Sequence, residues 1–176
     1  MEKIIQDGKE VIRIESEAVK ELEGRINENF ARAVEMILNT KGRVIISGVG
    51  KSGIIARKIV ATMNSTGTPA LFMHPSDAIH GDLGMVKMDD VVILISKSGS
   101  TPEIVRIFPV LRRIGTKIIA LVGDMKSYLA KEADIARRRS PSVIIPTNIP
   151  SSFTTQVAPN LFDVISRIAE CKSISS

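Results

Sequence analysis

Two short stretches of this chain are apolar at every position and run directly into loops of small and polar residues. One is Val44-Ile-Ile46 followed by Ser-Gly-Val-Gly-Lys-Ser-Gly53; the other is Val91-Val-Ile-Leu-Ile95 followed by Ser-Lys-Ser-Gly-Ser-Thr-Pro-Glu103. Strands without polar alternation are buried on both faces, the condition of a parallel sheet covered by helices above and below. The rest of the pattern agrees. Short apolar runs alternate with amphipathic stretches: strand 43–47, helix 52–65, strand 70–73, strand 90–95, helix 102–114, strand 117–122, a short helix 125–132, a weaker strand near 142–145 and a last helix over about 154–170. That alternation predicts an α/β domain, a parallel sheet with helices on both faces.

A helical lead-in over residues 1–40 precedes the first strand. Val11, Ile14, Ala18, Val19 and Leu22 share one face; after a break near Gly24 a second set follows at Phe30, Val34, Ile37 and Leu38. At 176 residues the chain suits one domain with a full core, spanning 1–176. Aromatics are only 3%, so the core must be aliphatic and little is available for stacking on bases. The net charge of +5 favours anionic ligands, but apart from Arg137-Arg138-Arg139 the basic residues are scattered, which argues against nucleic acid.

Cys171 is alone, which excludes a disulfide framework or a cysteine zinc site and fits a reducing compartment. No apolar run approaches the ~18 residues of a membrane span, and the N-terminus lacks the apolar run of a signal peptide. A cytoplasmic protein is expected.

Each strand–loop–helix unit delivers a helix N-terminus, with its unpaired N–H groups, to the same end of a parallel sheet, an arrangement suited to an anion. The second loop adds Ser96, Ser98, Ser100 and Thr101 within six residues. Thr101 as N-cap and Pro102 as first helical residue account for part of this as capping. Ser96 and Ser98 have no capping duty, so the cluster points to a phosphate ester held without a metal.

Gly48-Val-Gly50-Lys-Ser-Gly53 matches G-x-G-x-x-G, but the dinucleotide reading needs an acidic residue after the next strand, where Ala70-Leu-Phe-Met73 is followed by His74 and Pro75. A P-loop fails on spacing, because its first glycine would fall on Ile45. No cofactor is expected. Both histidines, His74 and His80, lie in one long polar connection running to Asp89, with a single helical turn expected in its middle. With Asp77 or Asp82 they can form a metal site, yet zinc sites show a tighter histidine pair or a clear third ligand. Acid–base work or a bond to a sugar hydroxyl suits them better.

These loops and the connection between them resemble the sugar isomerase (SIS) domain, and within it the arabinose-5-phosphate isomerase family of lipopolysaccharide and capsule sugar synthesis. The segments that carry the resemblance are Gly48 to Gly53, Ser65-Thr-Gly-Thr-Pro69, His74-Pro-Ser-Asp-Ala-Ile-His-Gly-Asp-Leu-Gly-Met85 and Ile95 to Ile104, in family order. The resemblance implies a flavodoxin-like three-layer sandwich with a five-stranded parallel sheet, a homodimer or homotetramer, and a substrate site shared between subunits. It implies interconversion of D-arabinose 5-phosphate and D-ribulose 5-phosphate through an enediol. Carried over residue by residue, Lys51, His80 and Glu103 match catalytic positions, with Glu103 as base, His80 handling protons between the oxygens and Lys51 stabilising negative charge. Gly67, Thr68 and His74 match substrate-region positions, and Gly50 and Ser52 of the first loop are expected to bind substrate or phosphate beside the serine loop.

Two family features find no match. In the late hydroxyl-rich segment Ser151, Ser152 and Thr154 offer a third phosphate loop, but Ser142 stands in the region where the family has a glutamate. The sequence reaches Ser176 without the family's serine-histidine-proline-glycine-glycine segment or its CBS domains, the pattern of a short member. A phosphosugar isomerase is therefore expected, with a phosphosugar-binding module of weak catalysis as the alternative.

Overall fold

The structure, a computed structural model, describes residues 1–138, and of Arg137 and Arg138 the backbone only. In chain order it comprises α1 (Glu2–Glu23), α2 (Glu28–Leu38), β1 (Val44–Gly48), α3 (Lys51–Ser65), β2 (Ala70–Phe72), α4 (Pro75–Ile79), a 3₁₀ turn (Asp82–Met85), β3 (Val91–Ser96), α5 (Pro102–Ile114), β4 (Lys117–Val122), α6 (Tyr128–Glu132) and β5 (Ile135–Arg138). The five strands form one sheet in the order β2-β1-β3-β4-β5, every pair parallel.

Strand alternation sends neighbouring side chains to opposite faces, and each face has its own aliphatic core. Ile45, Val92, Leu94, Ile118, Ala120 and Val122 pack with Ile104, Ile107, Phe108 and Leu111 of α5, Ala78 of α4 and Leu129 of α6. Val44, Ile46, Val91, Ile93, Ile95, Ile119 and Leu121 pack with Ala56, Ile59 and Met63 of α3 and Ile37 of α2. The expected five-stranded parallel sheet with helices on both faces is thus the observed one.

The fifth strand is a correction. Sequence reading expects it near 142–145, which lies outside the described residues, as does the helix expected over 154–170; the fifth strand of the described sheet is Ile135–Arg138, paired with β4. Only Ile135 and Ala136 are apolar there, too short a run to stand out beside three arginines. The short helix expected over 125–132 begins three residues late, because the Asp124 carboxylate accepts the Lys126 N–H at 2.8 Å and makes a turn of its first residues. The connection from His74 to Asp89 holds two turns rather than one, α4 and the 3₁₀ turn.

The lead-in forms two helices, as expected. Val11, Ile14, Ala18 and Leu22 are the half-covered side of α1, but no residue of α1 is buried. Two aspartates secure the sheet away from the loops. Asp90 accepts the Arg43 and Lys87 N–H groups, each at 2.8 Å. Asp134 accepts the Ile118 N–H at 2.8 Å, and both its oxygens lie 2.9 Å from Arg112 Nη1; the same guanidinium donates to the Glu132 carbonyl.

Partial burial by itself raises the Asp134 carboxyl, but the Ile118 N–H and Arg112, helped by Lys117, outweigh it and hold the group below its ordinary value. A carboxylate lowered in the fold contributes stability that is complete above its unfolded pKa and lost as pH falls through the folded one. The melting temperature is expected to fall below about pH 4 with a component missing from Asp134→Asn. Identical acid slopes for the two proteins in pH-scanned calorimetry would refute this role.

Candidate functional site

The strand order dictates where the loops meet. From β1 the chain crosses to β2 on one side and then returns past β1 to β3 on the other, so the carboxyl ends of β1 and β3 flank the point where the winding reverses. In open parallel sheets that crevice is the usual ligand site. The two loops singled out in the sequence, 48–53 and 96–103, leave these adjacent strands, whose register runs as far as Gly48 opposite Ile95. His74 follows β2 at the same edge, and α4 packs against α5, which brings the histidine segment alongside the helix that carries Glu103.

The first loop turns at Gly50, whose φ of +57° and ψ of −127° few other residues adopt; a side chain there would meet open space, so the constraint is torsional. Lys51 opens α3 and is exposed, Ser52 is half-buried, and no side chain caps the helix. The second helix is likewise uncapped. Thr101 occupies the N-cap position of α5, but its Oγ1 lies 2.7 Å from Ser96 Oγ and makes no capping bond.

Sequence reasoning leaves Ser96 and Ser98 without local duties; the structure supplies them. Ser96 Oγ accepts the Gly99 N–H at 2.9 Å, and Ser98 Oγ accepts the Ser100 N–H at 3.2 Å. Ser96 is only 2% exposed and faces inward as the brace of the loop, whereas Ser98 and Ser100 are exposed and Thr101 half-buried. Glu103, second residue of α5 after Pro102, is half-buried. A carboxylate in a first helical turn is favoured by the dipole whatever else it does.

His74 is the N-cap of α4, and its Nδ1 accepts the Ser76 N–H at 3.3 Å. The neutral ring then carries its proton on Nε2, which makes that atom a donor. Its ring meets the edge of Phe72, with centroids 6.3 Å apart, and the Arg57 guanidinium stacks 4.0 Å above Phe72 on the α3 side. His80 ends α4 and is exposed; its N–H donates to the Asp77 carbonyl at 2.9 Å, and Gly81 turns the chain at φ +145°.

Gly67 and Thr68 are not brought to this group. They stand between α3 and β2, at the opposite edge of the sheet, where the next residue, Pro69, gives its carbonyl to the Val44 N–H at 2.9 Å. Gly67 reverses the chain at φ +86°, and Thr68 is buried with its N–H on the Met63 carbonyl at 2.8 Å. Their work within this chain is to end α3. Ser142, Ser151, Ser152 and Thr154 lie outside the described residues.

One neighbour of the serine loop escapes sequence reading. Gly123 at the end of β4 donates its N–H to the Lys97 carbonyl at 2.9 Å, and Leu129 of α6 donates to the Gly99 carbonyl at 3.2 Å. Val-Gly-Asp after a strand reads as an ordinary turn, and nothing local announces what it touches. Among the described residues no three His, Cys, Asp or Glu side chains gather to hold a metal ion, and no helix is long and apolar enough to cross a membrane.

Comparison with known proteins agrees with this fold. Over 162 residues the chain is 42% identical to the arabinose 5-phosphate isomerase KdsD of Pseudomonas aeruginosa, a match covering 92% of this chain and 50% of that protein. Against the Escherichia coli protein of the same name it is 46% identical over 149 residues, covering 81% and 45%. The chain thus spans about half the length of the curated relatives it matches. Among solved structures, an Escherichia coli CFT073 protein in complex with arabinose 5-phosphate superposes with a TM-score of 0.80 at 37% identity, over 97% of this chain and 92% of that one. A candidate sugar-phosphate isomerase of Listeria monocytogenes does so with a TM-score of 0.87 at 30% identity, covering 99% and 92%. The SIS domain model matches residues 36–158, from the end of α2 through every strand of the sheet, and the chain belongs to the SIS domain family.

Proposed function

We propose that this chain is a phosphosugar aldose–ketose isomerase that interconverts D-arabinose 5-phosphate and D-ribulose 5-phosphate. The observation that carries the reading is the pairing of two uncapped helix N-termini and an exposed hydroxyl cluster at one switch point, in a chain 42% identical to an arabinose 5-phosphate isomerase. Ser98, Ser100, Thr101 and the start of α5 anchor the phosphate, with Gly50 and Ser52 lining the crevice. Ser96 acts from behind.

The reaction moves one proton between carbons. From the ketose side, the Glu103 carboxylate takes a proton from C1 and the C1–H electron pair becomes the C1=C2 bond of an enediolate. His80 shuttles the hydroxyl proton between O1 and O2, Lys51 offsets the developing negative charge, and Glu103, once its proton has exchanged with solvent, delivers one to C2, leaving the aldehyde at C1. His74, a donor through Nε2, holds a sugar hydroxyl. No cofactor or metal enters this scheme.

Proton NMR of the protein with ribulose 5-phosphate in deuterated water, with and without excess chelator, tests it. Aldose signals carrying deuterium at C2 and indifferent to chelator are expected; binding with no aldose formed would reject the isomerase. The second reading, a phosphosugar-binding module of weak catalysis, rests on Ser142 standing where the resemblance expects a carboxylate. Within the first reading, Ser98→Ala is expected to raise KM several-fold, about what one lost hydrogen bond to a charged phosphate is worth, with a smaller change in kcat. An unchanged KM would remove Ser98 from the anchor.

We also infer a single SIS domain spanning the chain, assembled as a homodimer or homotetramer. Ile4, Ile5 and Ile12 of α1 are 73%, 57% and 67% exposed in the isolated chain, an apolar display that assembly would cover. Light scattering that returned a monomer mass would overturn this. A cytoplasmic enzyme of lipopolysaccharide sugar synthesis fits a phosphorylated substrate and the lone Cys171; fractionation of the source cells tests the compartment.

A further inference from the structure

We propose that the β4–α6 connection, residues 123–127, holds the serine loop in its anion-binding shape, with Gly123 and Ser127 as positioning residues that never touch the ligand. The inference rests on the reading of that loop as a phosphate anchor and extends it to residues that no motif marks.

An anion site needs N–H and hydroxyl groups turned toward the ligand and carbonyl oxygens turned away. In this loop the carbonyls of Lys97 and Gly99 are drawn outward by the N–H groups of Gly123, at 2.9 Å, and Leu129, at 3.2 Å. Both donors belong to the connection or to the helix that follows it. Leu129 is fully buried in the core beside α5, so the outer anchor is itself fixed.

The fit is too close for side chains on the contacting glycines. A Cβ on Gly123 would stand 2.5 Å from the Lys97 carbonyl oxygen, although Gly123 has no positive φ and its backbone suits any residue. A Cβ on Gly99 would overlap the Ser127 hydroxyl and stand 2.5 Å from Ser127 Cβ. The connection is braced internally as well. Ser127, 5% exposed, donates its hydroxyl to the Asp124 carbonyl at 2.6 Å, and the Lys126 N–H donates to the Asp124 carboxylate at 2.8 Å. A rigid surface pressed on the outer side of the loop leaves its exposed hydroxyls, Ser98 and Ser100, no room to retreat from the ligand side.

Gly123→Ala tests the proposal without altering any residue placed at the ligand. Inorganic phosphate, titrated into the intact chain and followed by phosphorus NMR, is expected to bind at least about tenfold more weakly to the variant, the scale on which sub-ångström displacement of a binding group is felt. With D-arabinose 5-phosphate the KM is expected to rise by a similar factor while kcat stays within about threefold; the overlap with the Lys97 carbonyl also lowers the melting temperature, so both constants are read well below it, on folded protein. Should Gly123→Ala fail to fold, Asp124→Ala, which removes only an exposed turn, is expected to weaken phosphate about threefold. A folded variant with unchanged phosphate affinity overturns the proposal, as does a parent protein that binds no phosphate. A parent that binds phosphate yet leaves arabinose 5-phosphate unturned defeats the isomerase reading alone, and the phosphate comparison still decides this one.

Discussion

Glu103→Gln is expected to lower turnover of arabinose 5-phosphate at least about a hundredfold while phosphosugar affinity changes little, because a positioned general base contributes roughly 10²–10⁴-fold. The substitution preserves shape and removes only basicity. Glu103 is the second residue of α5, immediately after the hydroxyl cluster; with the phosphate anchored at that cluster as proposed, the sugar would be presented to this side chain. The carboxylate also gains from the helix dipole, and the amide loses that contribution, expected at about 0.3–1 kcal/mol of stability. Turnover and binding must therefore be read separately. If affinity and turnover fell together, Glu103 would be a binding group and the base would have to be sought elsewhere.

Gly99→Ala is expected to be the most damaging single methyl in the serine loop. Gly99 adopts φ +65°, where an alanine costs about 1–2 kcal/mol. Its Cβ would also press into Ser127 and lie 3.2 Å from Val122 Cγ1, an overlap that adds about 1–3 kcal/mol as over-packing. The loop must open, and the Gly99 N–H leaves Ser96 Oγ. Loss of phosphate binding is therefore expected together with a lower melting temperature, and the fall is expected to exceed that of Gly123→Ala, where the overlap is not joined by a positive φ. Calorimetry and phosphate titration on the same sample check this, and a Gly99→Ala protein with parental phosphate affinity would show that the observed loop shape is not needed for binding.

Much of this arrangement is legible in the residues themselves because its causes are local. Unbroken apolar runs such as Val91 to Ile95 require burial on both faces, and a small-residue loop followed by Pro102 or Lys51 starts a helix whether or not anything else is known. Where the signal is weak the reading slips. Ile135 and Ala136 carry too little hydrophobicity to reveal an edge strand, which forms because β4 offers its backbone groups in register from Ile119 to Val122. Ser96 and Ser98 look equivalent in sequence, yet Ser96 is the last residue of β3 and is buried as the acceptor of the Gly99 N–H, whereas Ser98 lies past the strand and is exposed.

What the sequence determined by itself is the layered parallel sheet, the two strand–loop–helix units and the supply of hydroxyls, histidines and a first-turn carboxylate. Periodicity and capping chemistry act over a few residues and need no partner to be read. Only the tertiary structure decided which of these groups share an edge. The order β2-β1-β3 sets the two loops side by side, the place of Gly67 and Thr68 before β2 leaves them at the far end of the sheet, and the pairing of β3 with β4 brings Gly123 and Ser127 against a loop more than twenty residues away. Strand order and close backbone approach come from packing two cores at once, and no short stretch of chain contains that information.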